Sequence, residues 1–338
     1  MKILLVGAGK PPAIERYFLQ HLNELGAEAS LLAIQNIFFD YYEKNIFHKV
    51  LFKTGLSAIY KKINDLFRSE VENKKPDLIW VFKGMELFPE SLQWVRDRKI
   101  KLVNYNTDNP FIFSGRGSGN SNVFESIRLY DLHFTYDHHV KERITREYGI
   151  RCAMLPFGFE DRADLYAICT AQEEQVRLCF VGSPDKDRTL FLETLADQVP
   201  MDVYGPLWNK FLTNQNIIVR DEIHGDEFWK VLNRYRIQLN IMRPHNPDTH
   251  NMRSFEVPGI GGIMLAPDTA DHREYFRANE EVFLYSNATD CMTQIRTLLN
   301  LSKETSMQIR KRARERSVSS GYSYFERAKT ALMNFEQL

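Results

Sequence analysis

Short runs of consecutive apolar residues alternate along the chain with stretches in which apolar positions recur every three to four residues. A short apolar run bounded by turn residues reads as a strand buried on both faces, and the longer spacing reads as an amphipathic helix. On this basis residues 2–6 form a strand, 12–25 a helix with proline in its first turn, and 29–33 a second strand. Further strands follow at 77–82, 101–105, 132–135 and 151–155, interleaved with helical patterns such as 89–98 and 138–148, the latter stopped by Gly149. The pattern lapses and charge rises over 160–175. It restarts with strands at 177–181, 201–204, 216–219, 238–242, 263–265 and 282–284 and with helices at 187–197 and 227–235. Strands alternating with helices imply parallel sheets covered by helices on both faces. The expected architecture is α/β: two doubly wound Rossmann-type parallel-sheet domains facing a central cleft. Residues 1–160 form the first domain, 161–176 a linker, 177–320 the second, and 321–338 a terminal helix crossing back to the first.

Residues 35–72 are rich in aromatic and aliphatic side chains, and between Lys44 and Phe67 they carry five lysines against the single acidic Asp65. Two readings stand: amphipathic helices covering the first sheet with lysine stems along apolar surface, or an interfacial helix that docks on anionic lipid.

Composition narrows the function. The chain's 338 residues suffice for two domains with their own cores. Its 44 basic and 44 acidic residues cancel, which argues against a nucleic-acid binder that works by phosphate neutralisation. Cys152, Cys169, Cys179 and Cys291 are widely spaced, which points to reduced thiols rather than a disulfide framework or a zinc site. The first apolar run is too short for a signal-peptide core, and no run reaches the roughly 18 to 20 apolar residues of a membrane span. A cytoplasmic protein, with or without peripheral membrane contact, is expected.

Candidate chemistry concentrates in His250-Asn251-Met252-Arg253-Ser254-Phe255-Glu256, which runs through Val257-Pro258-Gly259 to Gly261-Gly262 and an apolar strand. This pattern delivers ionic groups to the mouth of a parallel sheet, where small anionic ligands bind. Glu256 offers two acceptor oxygens to the vicinal hydroxyls of a ribose, or else is a solvated loop carboxylate. Arg253, one helical turn before it, suits a diphosphate, or else forms a structural salt bridge with Glu256. Asn251 either caps the helix or touches phosphate. Gly182 and Ser183 end a strand with backbone that can approach phosphate, and Arg188 begins the next helix. Gly7-Ala8-Gly9-Lys10-Pro11-Pro12 is neither a dinucleotide fingerprint, since Pro12 takes the third glycine position, nor a Walker loop, since Pro11 follows Lys10. A tight turn or a contact to a second substrate at Gly9 remains. Asp108, in Asn106-Thr107-Asp108-Asn109-Pro110 after the strand 101–105, is a candidate base, or the product of an Asx turn. No His-x-x-x-His spacing occurs, and no metal site is expected. The Ser- and Gly-rich run 114–119 is expected to be a mobile loop able to close over a substrate.

The order Asn251-x-Arg253-x-Phe255-Glu256 followed by Gly261-Gly262 resembles the donor-binding segment of the spore-maturation CgeB-like glycosyltransferases, a branch of the two-Rossmann-domain (GT-B) class. Asn106 to Pro110, Leu155-Pro156-Phe157-Gly158, Phe180-Val181-Gly182-Ser183, Val203-Tyr204-Gly205 and Ile223-His224-Gly225 match that family in the same order. The resemblance implies a metal-independent transferase without a cofactor. It would move a hexosyl or related sugar from a nucleotide sugar to an unidentified glycan, lipid-linked or protein acceptor. The second domain would hold the donor, with Glu256 at the ribose, Arg253, Gly182, Ser183 and Arg188 at the diphosphate, and Tyr204, Gly205 and His224 near the base. The first domain would receive the acceptor past Gly9 and Asp108. Asp248, eight residues before Glu256, resembles the first carboxylate of the Glu-x7-Glu element of retaining enzymes, with Asp in place of Glu. A nucleotide-sugar epimerase of the 2-epimerase type, or a non-catalytic nucleotide-sugar-binding protein, fits the same architecture.

Overall fold

A strand sequence without a polar interruption ends up covered on both faces: all five residues of Leu78–Phe82 are buried. The computed structural model describes residues 1–112, 119–243 and 248–338, and the chain divides into two units, Met1–Pro156 with Arg327–Leu338, and Phe157–Glu326. The expected Ser- and Gly-rich loop at 114–118 lies outside the described residues.

The first unit contains β1 (Lys2–Val6), β2 (Glu28–Leu32), β3 (Leu78–Phe82), β4 (Lys101–Tyr105), β5 (Leu132–Thr135) and β6 (Arg151–Met154), in the order β2-β1-β3-β4-β5-β6 and parallel throughout. Its aromatic core gathers Phe18 4.7 Å from Trp80 and Phe335 5.1 Å from Trp80. The second unit contains β7 (Gln175–Val181), β8 (Met201–Tyr204), β9 (Ile217–Arg220), β10 (Tyr235–Leu239), β11 (Met264–Pro267) and β12 (Phe283–Tyr285), again all parallel, in the order β12-β11-β10-β7-β8-β9. Two doubly wound Rossmann-like sheets are therefore present, as the alternation of patterns predicts.

Local departures from the sequence pattern have tertiary causes. The helix expected from residue 12 begins at Glu15, because residues 10–13 make a turn closed by Ala13 N–H on Lys10 O. The strand expected at 238–242 runs over Tyr235–Leu239 instead. Arg236, too polar to read as a buried strand residue, is only 2% exposed because Glu174 and two backbone carbonyls receive its guanidinium. Within 161–176, Ala163–Thr170 is helical and β7 begins at Gln175. Residues 35–72 fold largely as three helices with their neighbours, Ile34–Tyr42, Ile46–Lys53 and Ile59–Lys74.

Candidate functional site

In the second sheet the chain leaves β7 for β8 on one side and returns to β10 on the other, so the loops after β7 and β10 diverge at the carboxyl ends of adjacent strands. Such a switch point leaves a crevice that suits a ligand. Arg188 stitches it together. Lying in the first turn of the helix Lys186–Ala196, it donates to Ser183 O at 3.2 Å and to Ile241 O at 2.8 Å, and pairs with Asp185 at 3.4 Å. Burial pulls its pKa down to about 10, Asp185 opposes that shift, and the like charges of Arg243 and Arg253 reinforce it. Arg243 and Arg253 are thus near enough to Arg188 for their charges to act on it. Arg188 thus braces the crevice, with both terminal nitrogens on backbone carbonyls. Arg243, two residues beyond Ile241 and exposed, was missed in the sequence. The rule that polar residues just past a strand's carboxyl end face a ligand points to it once β10 is correctly placed.

The helix Arg253–Gly259 starts at the same crevice. Arg253 donates through Nε to Val181 O at 3.2 Å, stacks over the Phe228 ring at 4.5 Å and forms a short ion pair with Glu256. Glu256 is 2% exposed; burial raises its carboxyl pKa while Arg253 opposes the rise. The salt bridge expected as one of two roles for Arg253 is thus present. Asn251 is a cap: its Oδ1 accepts from Ser254 N–H at 3.3 Å and its amide donates to Asn240 at 2.7 Å. Ser254 ties the region down. Its hydroxyl oxygen accepts from Asn251 N–H and from the Asn240 amide, and its proton goes to His272 Nε2 at 2.8 Å. His272 Nδ1–H in turn donates to Pro267 O at 2.7 Å, and burial keeps the ring neutral, with a pKa of about 4.

The remaining donor-side candidates fare unevenly. Gly182 N–H donates to Tyr204 O at 3.0 Å and its carbonyl accepts from Trp208 Nε1 at 2.7 Å. Ser183 is exposed at the turn. Gly205 sits at φ 149°, and a Cβ there would strike the Gly182 carbonyl, so the two loops interlock. Tyr204 is buried, and its hydroxyl bonds the Tyr235 hydroxyl at 2.9 Å. His224 is exposed at the start of the helix Gly225–Arg234, 3.5 Å from Glu222. Asp248 is exposed with φ 59°, in contrast to the buried Glu256. Asp185-Lys186-Asp187 is an Asp-x-Asp triplet that pattern reading passed over. Asp185 caps its helix, accepting from Arg188 N–H at 2.9 Å.

The first unit has its own switch point, between β1 and β3. The glycine loop after β1 is filled by the protein itself: Ala8 N–H donates to Glu15 Oε1 at 2.8 Å and Gly9 N–H to Asn36 Oδ1 at 2.5 Å. The Gly9 amide is thus paired within the protein. Asp108 accepts an ion pair from Lys83 at 2.5 Å, and its N–H completes the Asx turn on Asn106 at 3.0 Å. Lys83 and Glu86, both in the loop after β3, were also missed. Glu86 is 4% exposed, its Oε2 has no hydrogen-bond partner among the described residues, and burial pushes its pKa up to about 7, with Lys83 opposing and Glu15 reinforcing.

No curated protein sequence matches the chain. Solved structures share its fold along nearly their whole length. Sucrose-phosphate synthase from Thermosynechococcus elongatus is 12% identical with a TM-score of 0.68, covering 100% of this chain and 98% of its own. A trehalose-6-phosphate protein from E. coli bound with UDP-2-fluoro glucose is 13% identical with a TM-score of 0.66, covering 100% and 99%. UDP-GlcNAc 2-epimerase from Neisseria meningitidis bound to UDP-GlcNAc is 14% identical with a TM-score of 0.59, covering 100% of both chains. The likeness establishes the GT-B-type pair of Rossmann-like α/β units. At sequence level, residues 188–333, a span holding Arg188, Arg243, Arg253 and Glu256, match the family profile described as glycosyl transferase-like.

Proposed function

We propose that the chain is a glycosyltransferase of the CgeB-like branch that takes a sugar from a nucleoside diphosphate sugar held on the second unit. The observation that carries this reading is the convergence of Arg188, Arg243 and Arg253 with Glu256 at the β7–β10 switch point, inside the segment that matches the family profile. A diphosphate arriving there meets Arg253 and Arg243 at the start of a helix, and Arg253 exchanges its bond to Glu256 for phosphate oxygens. Glu256, released, accepts from the ribose hydroxyls. Positive charge already fixed near the departing diphosphate stabilises the charge that develops as the glycosidic bond breaks, which favours a metal-independent reaction. The Asp248–Glu256 spacing supports transfer with retention. Solved relatives of this fold carry UDP-2-fluoro glucose and UDP-GlcNAc, which makes a uridine diphosphate hexose the first donor to try. The acceptor is a glycan, a protein or a lipid-linked molecule, and the lysine-rich segment 44–67 favours the last.

The deciding experiment is a thermal-shift panel of UDP, GDP, TDP, CMP and their sugar conjugates on the wild type and on Glu256→Gln, which keeps the side-chain volume. A ligand that binds only the folded state stabilises it by about 2.7 kcal/mol at a hundredfold excess over Kd. One nucleotide family should raise the melting temperature of the wild type, and the Gln variant should lose most of that rise. No shift with any nucleotide sinks the proposal. The 2-epimerase reading gains some support from Glu86 and Asp108, acid–base candidates in the first unit. Incubation with donor alone separates the two: an epimer or glycal marks an epimerase, whereas turnover only after an acceptor is added marks a transferase.

A further inference from the structure

The helix Ile46–Lys53 is built the wrong way round for a protein in water. It contains no buried residue, and Ile46, Phe47 and Val50, spaced so that they share one face, are 75%, 62% and 50% exposed. Leu56, in the turn that follows, is 76% exposed. The opposite face does have a partner: Phe52 packs 4.9 Å from Phe38 and 5.3 Å from Tyr60. Isolated exposed apolar residues are ordinary, but four large ones within eleven positions form a patch that marks an interaction surface. The charge around the patch is predominantly positive, although the exposed Glu43 directly precedes it in the chain. Lys44, Lys53, Lys61 and Lys62 are exposed, Lys49 is half-buried, and Asp65 is the one acidic residue between Lys44 and Phe67.

We propose that this helix and the turn after it form a docking surface for an anionic lipid bilayer, with Ile46, Phe47, Val50 and Leu56 entering the interface and the lysines meeting lipid phosphates. Apolar side chains ringed by lysine fit the boundary between acyl chains and charged headgroups, where the apolar insertion and the electrostatic attraction act together. A protein partner of ordinary composition offers no matching excess of negative charge. Near an anionic membrane each lysine multiplies partitioning about fivefold, and salt removes that factor as it screens the surface. Among the described residues no helix is long and apolar enough to cross a membrane, so this attachment is peripheral. The inference does not rest on the glycosyltransferase reading, since vesicle binding needs no donor.

The test is co-sedimentation of the full chain with vesicles of phosphatidylcholine alone and of phosphatidylcholine with 30% phosphatidylglycerol as the probe, about 0.03 M and 0.5 M salt being compared. The wild type should pellet with the anionic vesicles at low salt, with partitioning at least about tenfold lower on neutral vesicles or at high salt. Two surface variants divide the contributions. Ile46→Asp with Phe47→Asp removes the apolar insertion, and Lys44→Glu with Lys53→Glu, both exposed, reverses part of the charge; each should lower partitioning at least about tenfold. Because these side chains lie on the outer face, both variants should keep the wild-type melting temperature and any nucleotide-induced shift. Wild-type protein that stays in the supernatant at low salt overturns the proposal, as do variants that pellet like the wild type. A wild type that sediments as a dimer in ultracentrifugation while the Ile46→Asp, Phe47→Asp variant is monomeric overturns it in favour of a second copy of the chain.

Discussion

Glu86 shows how a single side chain records a cost. A buried carboxyl oxygen without a hydrogen-bond partner is destabilising, and the group answers by holding its proton to about pH 7 instead of 4.5. Because the folded pKa lies above the unfolded one, the folded state binds the proton more tightly. The resulting stabilisation is complete below pH 4.5 and is lost as pH rises through about 7, an effect of about 3 kcal/mol over that window. Glu86→Gln removes the titration while keeping the shape. Urea unfolding should find this variant more stable than the wild type at pH 8 by roughly 1 to 3 kcal/mol and nearly equal to it at pH 5. Parallel pH curves for the two proteins would refute the assignment. Groups with such perturbed pKa values cluster at functional sites, and Glu86 lies in the loop after β3 with Lys83, which in turn pairs with Asp108.

At the scale of elements, the second sheet is anchored at the opposite end from its crevice by a buried ion network. Glu174, just before β7, accepts from Arg236 on β10 at 2.6 Å and from Arg310 at 2.8 Å, while Ser306 donates to it at 2.6 Å. Arg310 also donates to Tyr235 O at 2.8 Å. Burial alone would raise the Glu174 pKa, but these donors outweigh it and hold the group at about 2. The sign is opposite to that of Glu86: the contribution is present above pH 4.5 and is lost as pH falls through about 2. Replacing Glu174 with Ala strands two buried guanidinium groups, and removing one member of such a network costs about 3 to 5 kcal/mol. Chemical denaturation at pH 7 should show a loss of that size; less than 1 kcal/mol would mean that water screens the network.

Across the whole molecule, the second unit is one continuous stretch, Phe157–Glu326, whereas the first is completed by Arg327–Leu338. Phe335 is 3% exposed against Trp80 and Phe134, and Ala328 and Ala331 are fully buried. Deleting residues 327–338 should therefore destabilise the first unit by roughly 3 to 5 kcal/mol, the range for losing a buried phenylalanine, and leave the nucleotide-induced shift of the second unit intact. Calorimetry with and without UDP would show it, and a single unchanged transition would contradict it. The alternation of apolar runs with helical spacing was enough to read two parallel sheets, because strands buried on both faces must be apolar throughout. The ionic segment 250–265 was legible for a related reason: charge next to an unbroken apolar strand marks the strand's mouth. Which of those charges meet lay beyond the sequence. Arg188 bonds Ile241 O across 53 positions, and Arg253 bonds Val181 O across 72. The order of the strands decides such contacts. The hydrogen bonds of the Tyr204 hydroxyl to Tyr235 and of the Gly182 carbonyl to Trp208 are likewise invisible in the sequence. Arg243, Lys83 and Glu86 are ordinary polar residues in sequence, and only the adjacency of β7 with β10 and of β1 with β3 gathers them. Periodicity is a local property of the chain, so the sequence determined the elements and their class. The pairing of distant strand ends is not local, so the tertiary structure alone decided which charges form a site.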